Sequence, residues 1–180
     1  MLGGDTVVGE GSVIGPNALL KNAKIGAHVT VNASQITDST VGDNTTVGPF
    51  AYIRPGCVIG EKARIGDFVE LKNSTIGDGT KVSHLTYIGD SDFGKGINVG
   101  CGVVTVNYDG KKKYRTTVED NAFIGCNVNL VSPVKVGRGA YLAAGRTITE
   151  EVPEDAMVVA RCRATVKPLW AKKRREDGKL

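Results

Sequence analysis

Aliphatic residues recur at six-residue steps along most of the 180-residue chain, from Val8 to Ile148. A small or β-branched residue follows most of them four positions later. A helix of 3.6 residues per turn would drift out of phase with this repeat, whereas short strands joined by tight Gly, Asp and Asn turns stay in phase. Three six-residue units form one triangular coil of about 18 residues, and successive coils stack as parallel strands. The pattern predicts an all-β protein, a parallel β-helix whose aliphatic and small residues point inward.

Two interruptions divide the chain. Between Val99 and Val118 the repeat gives way to VTVNYDGKKKYRTT, in which turn residues are followed by three lysines. This segment predicts a protruding loop at about 104–117, and loops on rigid scaffolds often carry function. The repeat stops after Ile148, so we expect a β-helix domain over residues 1–149. The rest, 150–180, would be an irregular cap and arm, which stacked repeats need at an open end.

The composition agrees with a core of small side chains, because the chain has 24 glycines and only 6% aromatic residues. Much of the net charge of +4 lies in the tail AKKRREDGKL. No basic face with interleaved aromatic residues is found elsewhere, so we expect no nucleic-acid partner. The first residues resemble no signal peptide, and no apolar run reaches about 18 residues. We therefore expect a cytoplasmic protein with no membrane insertion.

The four cysteines, Cys57, Cys101, Cys126 and Cys162, are widely spaced and form no C-x-x-C pair. Zinc knuckles and disulfide frameworks use closer or more regular spacings. We therefore expect reduced thiols and no metal site.

The length of the coil places Arg54 and Lys72 together. They lie 18 residues apart, each directly after an inward aliphatic residue, and so share a corner of adjacent coils. Stacked strands are about 4.8 Å apart, and two cations at that distance repel each other unless an anion lies between them. A phosphate group would suit a planar guanidinium beside a compact ammonium. The alternative is a solvated corner at which Glu61 or Glu70 is the counter-ion.

The same arithmetic places His84 and Cys101 at one corner. Each comes two residues after an inward valine, and their separation of 17 residues is one coil with a shortened step. Cys126 and Ala144 hold this position in later coils, and Asn98 precedes the corner. A lone histidine on a turn is commonly just solvated, and this alternative stays open here. The neighbouring Asn, Tyr and Cys side chains and the predicted loop favour a functional group.

His84 lies at a different corner of the prism from the Arg54/Lys72 pair. Either one ligand spans a face, or a neighbouring subunit supplies part of the site. We favour the second hypothesis, which predicts a closed homo-oligomer, a trimer about an axis parallel to the prism.

Seven motifs carry a resemblance to a known family. In chain order they are VGPFAYIRPG, IGDFVELKNSTIG, SHLTYIGD, INVGCG, TVNYDGKKKYRT, AFIGCNVNLVSPV and LAAGRTIT. With them the chain resembles the C-terminal acetyltransferase domain of bacterial bifunctional N-acetylglucosamine-1-phosphate uridylyltransferase/glucosamine-1-phosphate acetyltransferase, closely over about 41–161. The resemblance implies a homotrimer and a left-handed coil, an exception to the usual right-handed parallel crossover.

The resemblance also implies an activity. The chain would move the acetyl group of acetyl-CoA, as cosubstrate, to the amine of glucosamine-1-phosphate. The product, N-acetylglucosamine-1-phosphate, would serve UDP-GlcNAc and cell-wall precursor synthesis. The other half of the family's proteins is a nucleotidyltransferase domain that begins with a Gly-rich nucleotide loop. This sequence has no such loop, so we expect no uridylyltransferase activity.

Individual residues take roles from the resemblance. His84 matches the general base. The residues that match contacts to the sugar phosphate are Arg54, Lys72, Tyr87, Asn98 and Lys113. Those that match contacts to acetyl-CoA are Cys101, Asn107, Tyr108, Cys126, Ala144 and Arg161. Cys101 and Cys126 depart from the family, in which Ala and Ser are common at these positions, and a thiol is only a weak hydrogen-bond donor.

Acetyl transfer to an amine that is largely protonated at neutral pH needs a base, and histidine suits this role. Arg54 and Lys72 would fix the phosphate and hold the amine near His84. A backbone N–H near Cys101 or Gly102 could stabilise the oxyanion. The competing hypotheses are a hexapeptide acyltransferase with a different amine or hydroxyl acceptor, and a non-catalytic solenoid assembly module. A zinc carbonic anhydrase on this scaffold would need three histidines per metal, and the chain has two.

Overall fold

In the computed structural model, which describes residues 1–159 and 165–179, the chain forms a parallel β-helix of about nine turns followed by one short helix. The left-handed β-helix predicted from the repeat and the resemblance is confirmed. Each coil contributes one strand to each of three faces, and every strand pairs in parallel with its counterparts one coil away.

The first face contains β1 (Leu2–Gly3), β4 (Leu19–Lys21), β7 (Gln35–Thr37), β10 (Tyr52–Ile53), β17 (Val104–Val106), β20 (Val128–Val131) and β23 (Arg146–Ile148). The second face contains β2 (Val7–Val8), β5 (Lys24–Ile25), β8 (Thr40–Val41), β11 (Val58–Ile59), β13 (Thr75–Ile76), β15 (Ser91–Phe93), β18 (Thr116–Val118) and β21 (Val134–Val136). The third face contains β3 (Val13–Ile14), β6 (Thr30–Val31), β9 (Thr46–Val47), β16 (Asn98–Val99), β19 (Phe123–Ile124), β22 (Tyr141–Leu142) and β24 (Met157–Val158). Two long strands, β12 (Arg64–Lys72) and β14 (Lys81–Gly89), continue from the third face around a corner onto the first.

The core is a set of stacked aliphatic ladders, as predicted. On the first face Leu20, Ile36, Ile53, Leu71 and Ile88 are fully buried and in register from coil to coil. The small residues at the fourth step are buried as well, and their hydroxyls are satisfied inside the prism. For example, the Thr45 hydroxyl donates to the Gly60 carbonyl at 2.8 Å and accepts from the Ala63 amide at 3.0 Å. Buried hydroxyls with both partners carry no desolvation penalty.

The corners use residues in the left-handed backbone conformation. Phe68 and Leu85 have φ values of 54° and 43°, and Asn73 and Asp90 have 46° and 49° at the next corner. Such turns reverse the chain sharply and leave the side chains of the corner residues on the outside. Corner residues of successive coils therefore form ladders along the edges of the prism, apolar where Phe68 and Leu85 lie and polar where Asn73 and Asp90 lie.

The chain leaves the coil between β17 and β18, where residues 107–115 form the protruding segment, here called the excursion loop. Strand pairing continues beyond the end of the six-residue repeat, because Val152 bridges to Val136 and β24 pairs with β22. The arm that follows contains α1 (Trp170–Glu176), none of whose residues is buried. Because no residue of this helix is buried, it lacks the pattern of inward-facing apolar positions by which the strands were predicted.

Candidate functional site

Arg54, Lys72 and Lys113 lie together at the edge between the first and second faces, here called the cationic corner. The predicted stacking of Arg54 on Lys72 is present, because Arg54 donates its backbone amide to the carbonyl of Leu71. The Arg54 guanidinium binds the Glu70 carboxylate at 2.8 Å, and this hydrogen bond raises the pKa of Arg54. Glu70, one of the two counter-ions considered in the solvated-corner alternative, is therefore present, and it pairs with Arg54.

Lys72 has another cation as its neighbour. The Lys113 ammonium, brought in by the excursion loop, lowers the pKa of Lys72, with desolvation as the next cause. Two ammonium groups in contact leave an excess of positive charge on one spot of the surface. An anion with several acceptor oxygens is the partner that such a spot favours.

The buried carboxylate of Asp90 lies beside the cationic corner. Asp90 is 7% exposed, and its two oxygens accept hydrogen bonds of 2.6 Å from the side-chain amides of Asn73 and Asn107. Its charge attracts both Lys72 and Lys113. Asp90 thus links the coil, the first residue of the excursion loop and the two lysines in one network.

The excursion loop is ordered by its own contacts. Asp109 accepts from the backbone amides of Lys111 and Lys112 at 2.8 Å, and these bonds lower its pKa. At the end of the loop Arg115 makes two hydrogen bonds to Asp92, at 2.9 and 2.6 Å. These hydrogen bonds fix the conformation of the loop and therefore the position of Lys113.

His84 lies at the edge between the third and first faces, here called the histidine corner. Its Nδ1 atom is 2.7 Å from Oδ1 of Asp67, one coil earlier. The register of β14, β16, β19 and β22 continues the ladder through Cys101, Cys126 and Ala144. The predicted stacking of these four positions is therefore present. Cys126 and Ala144 are exposed and Cys101 is half-buried, so the ladder is open to a ligand.

The other predicted residues distribute between the two corners. Tyr87 lies on the first face, and its hydroxyl leans over Gly89, which has no Cβ to block it. Asn98 lies on the third face, just before the histidine corner. Asn107 is buried and bound to Asp90, whereas Tyr108 is exposed in the loop. Arg161 lies outside the described residues.

Two carboxylates of the site, Asp67 beside His84 and Asp90 beside the lysines, were not predicted from the sequence. Asp67 precedes His84 by 17 residues, and Asp90 follows Asn73 by 17, so each spacing is one coil. The coil arithmetic that stacked His84 on Cys101 could have found both. One proposed oxyanion donor is unsuitable, because the Gly102 amide donates to the Leu85 carbonyl at 3.0 Å.

Exposed apolar side chains flank the histidine corner on both sides. Phe50 and Phe68 stack with their ring centroids 5.5 Å apart, and Leu85 continues their ladder. On the third face Phe123 and Tyr141 stack at 4.6 Å. More than half of the surface of Phe68 is exposed. Grouped exposed rings of this kind mark surfaces that contact a partner.

Comparisons with known proteins give a consistent result. Residues 38–73 match the family described as bacterial transferase hexapeptide (six repeats). The chain is 59% identical, over 90% of its length, to the bifunctional protein GlmU of Acetivibrio thermocellus. It is 56% identical, over 99% of its length, to the bifunctional protein GlmU of Brevibacillus brevis. The chain spans only 35% and 39% of the lengths of these two relatives.

A solved structure shows the same fold. LpxA, a UDP-N-acetylglucosamine acyltransferase from Bacteroides fragilis 9343, matches with a TM-score of 0.66 and 19% identity. The match covers 85% of this chain and 66% of that one. In the part of the chain that the structure describes, no helix is both long and apolar enough to span a bilayer.

Proposed function

We propose that this chain belongs to the family of its GlmU relatives and is an acetyltransferase acting on glucosamine-1-phosphate with acetyl-CoA as cosubstrate. The observation that carries the proposal is the cationic corner, where Arg54, Lys72 and Lys113 meet over the buried Asp90. A terminal phosphate would give each of the three cations an oxygen to bind, with the guanidinium as a planar donor and the ammonium groups as point charges.

The reaction needs a base, and His84 is the proposed one. Its Nδ1 is engaged by Asp67, so Nε2 is the atom that would take a proton from the amine as the amine attacks the thioester carbonyl. The carbon–sulfur bond then breaks and the departing sulfur takes the proton from Nε2. CoA leaves as its thiol, the new amide stays on the sugar, and the imidazole is neutral again. A positioned base of this kind typically contributes about 10²- to 10⁴-fold. Of the two backbone donors considered for the oxyanion, the Cys101 amide is the one that remains.

We propose that acetyl-CoA lies along the histidine-corner ladder. Cys101, Cys126 and Ala144 continue from His84 in the direction of later coils, and the thioester would lie at the His84 end. Asn107 and Tyr108, which the resemblance also assigns to acetyl-CoA, lie at the other corner. The proposed ligand contacts are thus divided between two edges of one prism.

A homotrimer would bring these edges together. The first face separates the cationic corner from the histidine corner within a chain, so a neighbouring copy can place its own cationic corner against His84. The stacked Phe50 and Phe68 rings and Leu85 beside the histidine corner offer the apolar surface for such a contact. Closed cyclic symmetry repeats the same shared site three times.

The test is CoA thiol release from acetyl-CoA with glucosamine-1-phosphate, without an acceptor, and with glucosamine. We expect release only with the sugar phosphate, because the cationic corner needs the phosphate to position the amine. Equal rates with glucosamine would contradict the proposed acceptor and favour a different acyltransferase. No release under any of the three conditions would favour a non-catalytic module.

A pair of variants tests the base. His84→Ala should lower kcat by roughly 10²- to 10⁴-fold while acetyl-CoA binding, measured by calorimetry, stays nearly unchanged. His28→Ala is the matched control, because His28 is the other histidine of the chain and lies on a turn elsewhere. Normal turnover by the His84 variant would remove it from the reaction.

A further inference from the structure

The contact between His84 and Asp67 is set by the backbone. β12 and β14 keep one register around the histidine corner, and Asp67 stands directly opposite His84 in that register. The His84 carbonyl also accepts a hydrogen bond of 2.6 Å from Thr86. A short aspartate side chain has little freedom, so this frame fixes the Nδ1–Oδ1 distance of 2.7 Å.

We propose that Asp67 is a positioning residue for the reaction, an inference that rests on the proposed role of His84 as base. An ionised carboxylate only accepts hydrogen bonds, so it selects the tautomer in which Nδ1 carries the hydrogen. Nε2 then presents its lone pair to the amine. When Nε2 takes the proton, the same carboxylate stabilises the imidazolium that forms.

The surrounding charges favour an ionised Asp67. The hydrogen bond with His84 is the largest cause that lowers the pKa of Asp67, and Arg64 adds a smaller attraction. On the other side of His84 the ladder continues with the Cys101 thiol. The imidazole thus lies between Asp67 of the preceding coil, with Arg64 nearby, and Cys101 of the following coil.

The exposure of the pair limits the size of the effect. The side chains of His84 and Asp67 are 54% and 37% exposed, so water screens their interaction. Removing the negative charge from a buried catalytic triad lowers kcat by about 10⁴-fold. We expect a smaller loss here, of roughly 10- to 100-fold, for Asp67→Asn.

The decisive measurement is independent of activity. The chain has only two histidines, so ¹⁵N NMR of histidine-labelled protein gives two imidazoles, and His28→Gln assigns them. We expect His84 to be in the Nδ1–H tautomer in the wild type and to move toward the Nε2–H tautomer in Asp67→Asn. An asparagine can donate to Nδ1, which reverses the hydrogen bond. His28 is the internal reference and should not change.

Kinetics give the second readout. Asp67→Asn should lower kcat with both KM values unchanged, because the base loses its orientation while the binding contacts stay. Asp67→Glu should recover part of kcat. Asp78→Asn is the matched control, because Asp78 is an exposed corner carboxylate that pairs with Lys95 instead.

The outcomes separate the two proposals. An unchanged His84 tautomer in Asp67→Asn would overturn the positioning role even if His84→Ala proves inactive. A loss of kcat in Asp67→Asn with no change in the His84 tautomer would indicate a merely structural role and would also overturn it. Full activity of His84→Ala would overturn the base assignment and with it the positioning role, whereas an unchanged tautomer with an inactive His84→Ala would overturn the positioning role alone.

Discussion

Lys72 and Lys113 meet at the cationic corner although their ammonium groups repel each other. The fold holds them there with the buried Asp90 and with the ordered excursion loop. Such an arrangement costs free energy in the empty protein and is relieved when an anion binds. The repulsion at this corner therefore supports the proposal that its residues bind an anionic ligand.

Replacing Lys72 with alanine should raise KM for glucosamine-1-phosphate by roughly 10- to 100-fold, the usual size of a charge-assisted hydrogen bond. The maximal rate should fall much less, because the base is elsewhere. Lys62→Ala is the matched control, since Lys62 is an exposed lysine on another corner. Steady-state kinetics over a range of sugar-phosphate concentrations would measure this, and an unchanged KM would remove Lys72 from the site.

The lowered pKa of Lys72 gives a pH dependence with a definite sign. As the pH rises, Lys72 loses its proton before an ordinary lysine does, because Lys113 disfavours its charged form. The kcat/KM for glucosamine-1-phosphate should therefore fall on the alkaline side at a pH below the ordinary lysine range. Lys113→Ala removes the neighbour and should move this fall to higher pH, although it weakens binding at neutral pH. A shift in the opposite direction would contradict the contact.

Asp90 should matter for both stability and binding. In Asp90→Asn the buried Asn107 amide no longer has a carboxylate oxygen reserved for it. A buried donor left without its acceptor costs about 1–3 kcal/mol in the free energy of unfolding. The lysines also lose their buried counter-charge, so KM for the sugar phosphate should rise. Asp38→Asn is a close control, because Asp38 accepts from Asn22 in the same kind of ladder but is exposed. Equal effects of the two substitutions in urea unfolding would contradict the special role of Asp90.

At the scale of elements, the two nine-residue strands decide where the histidine corner lies. β12 and β14 come very close at Gly66, where an added Cβ would lie 2.7 Å from the Ser83 carbonyl carbon and closer to its oxygen. Only a residue without a side chain lets these coils approach there. The close approach keeps Asp67 and His84 on adjacent rungs of the ladder.

Gly66→Ala should therefore push the two coils apart at this corner. Overpacking of this kind typically costs about 1–3 kcal/mol, and kcat should fall because His84 moves relative to Asp67. Gly3→Ala is the control, since a Cβ added at Gly3 would lie 3.9 Å from the Leu20 carbonyl oxygen, an ordinary contact distance. Thermal unfolding and the ¹⁵N spectrum of His84 would measure the two effects, and a Gly66 variant with the wild-type spectrum would contradict the link.

The elements also show what the sequence could and could not predict. The six-residue repeat located the strands because the residues that point into the prism are buried and must be apolar. Ile53 and Leu71, which are fully buried, illustrate this. It placed His84 on Cys101 because coil length fixes the register. It could not place Lys113 against Lys72, since the excursion loop follows no repeat and its path depends on the side chains of Asp90 and Asp109.

At the scale of the whole molecule, the division of the proposed site between two edges is the main constraint. Within one chain the first face lies between His84 and Lys72, because Tyr87 follows His84 along β14 before Gly89, the residue paired with Lys72. Sedimentation of the protein should give the mass of three chains. Phe68→Glu, which places a charge on the exposed aromatic stack, should shift the population toward smaller species with reduced activity.

Mixed trimers of two inactive variants give the sharpest test of a shared site. If each site combines His84 of one copy with the cationic corner of the next, a trimer that contains both His84→Ala and Lys72→Ala chains has one intact site. Such trimers, isolated by two affinity tags after co-refolding, should recover about one third of wild-type kcat/KM, since one of three equivalent sites is complete. Trimers of either variant alone are the controls. If both groups of a site come from one chain, no mixed trimer can contain an intact site, and activity no higher than the controls would exclude the shared arrangement.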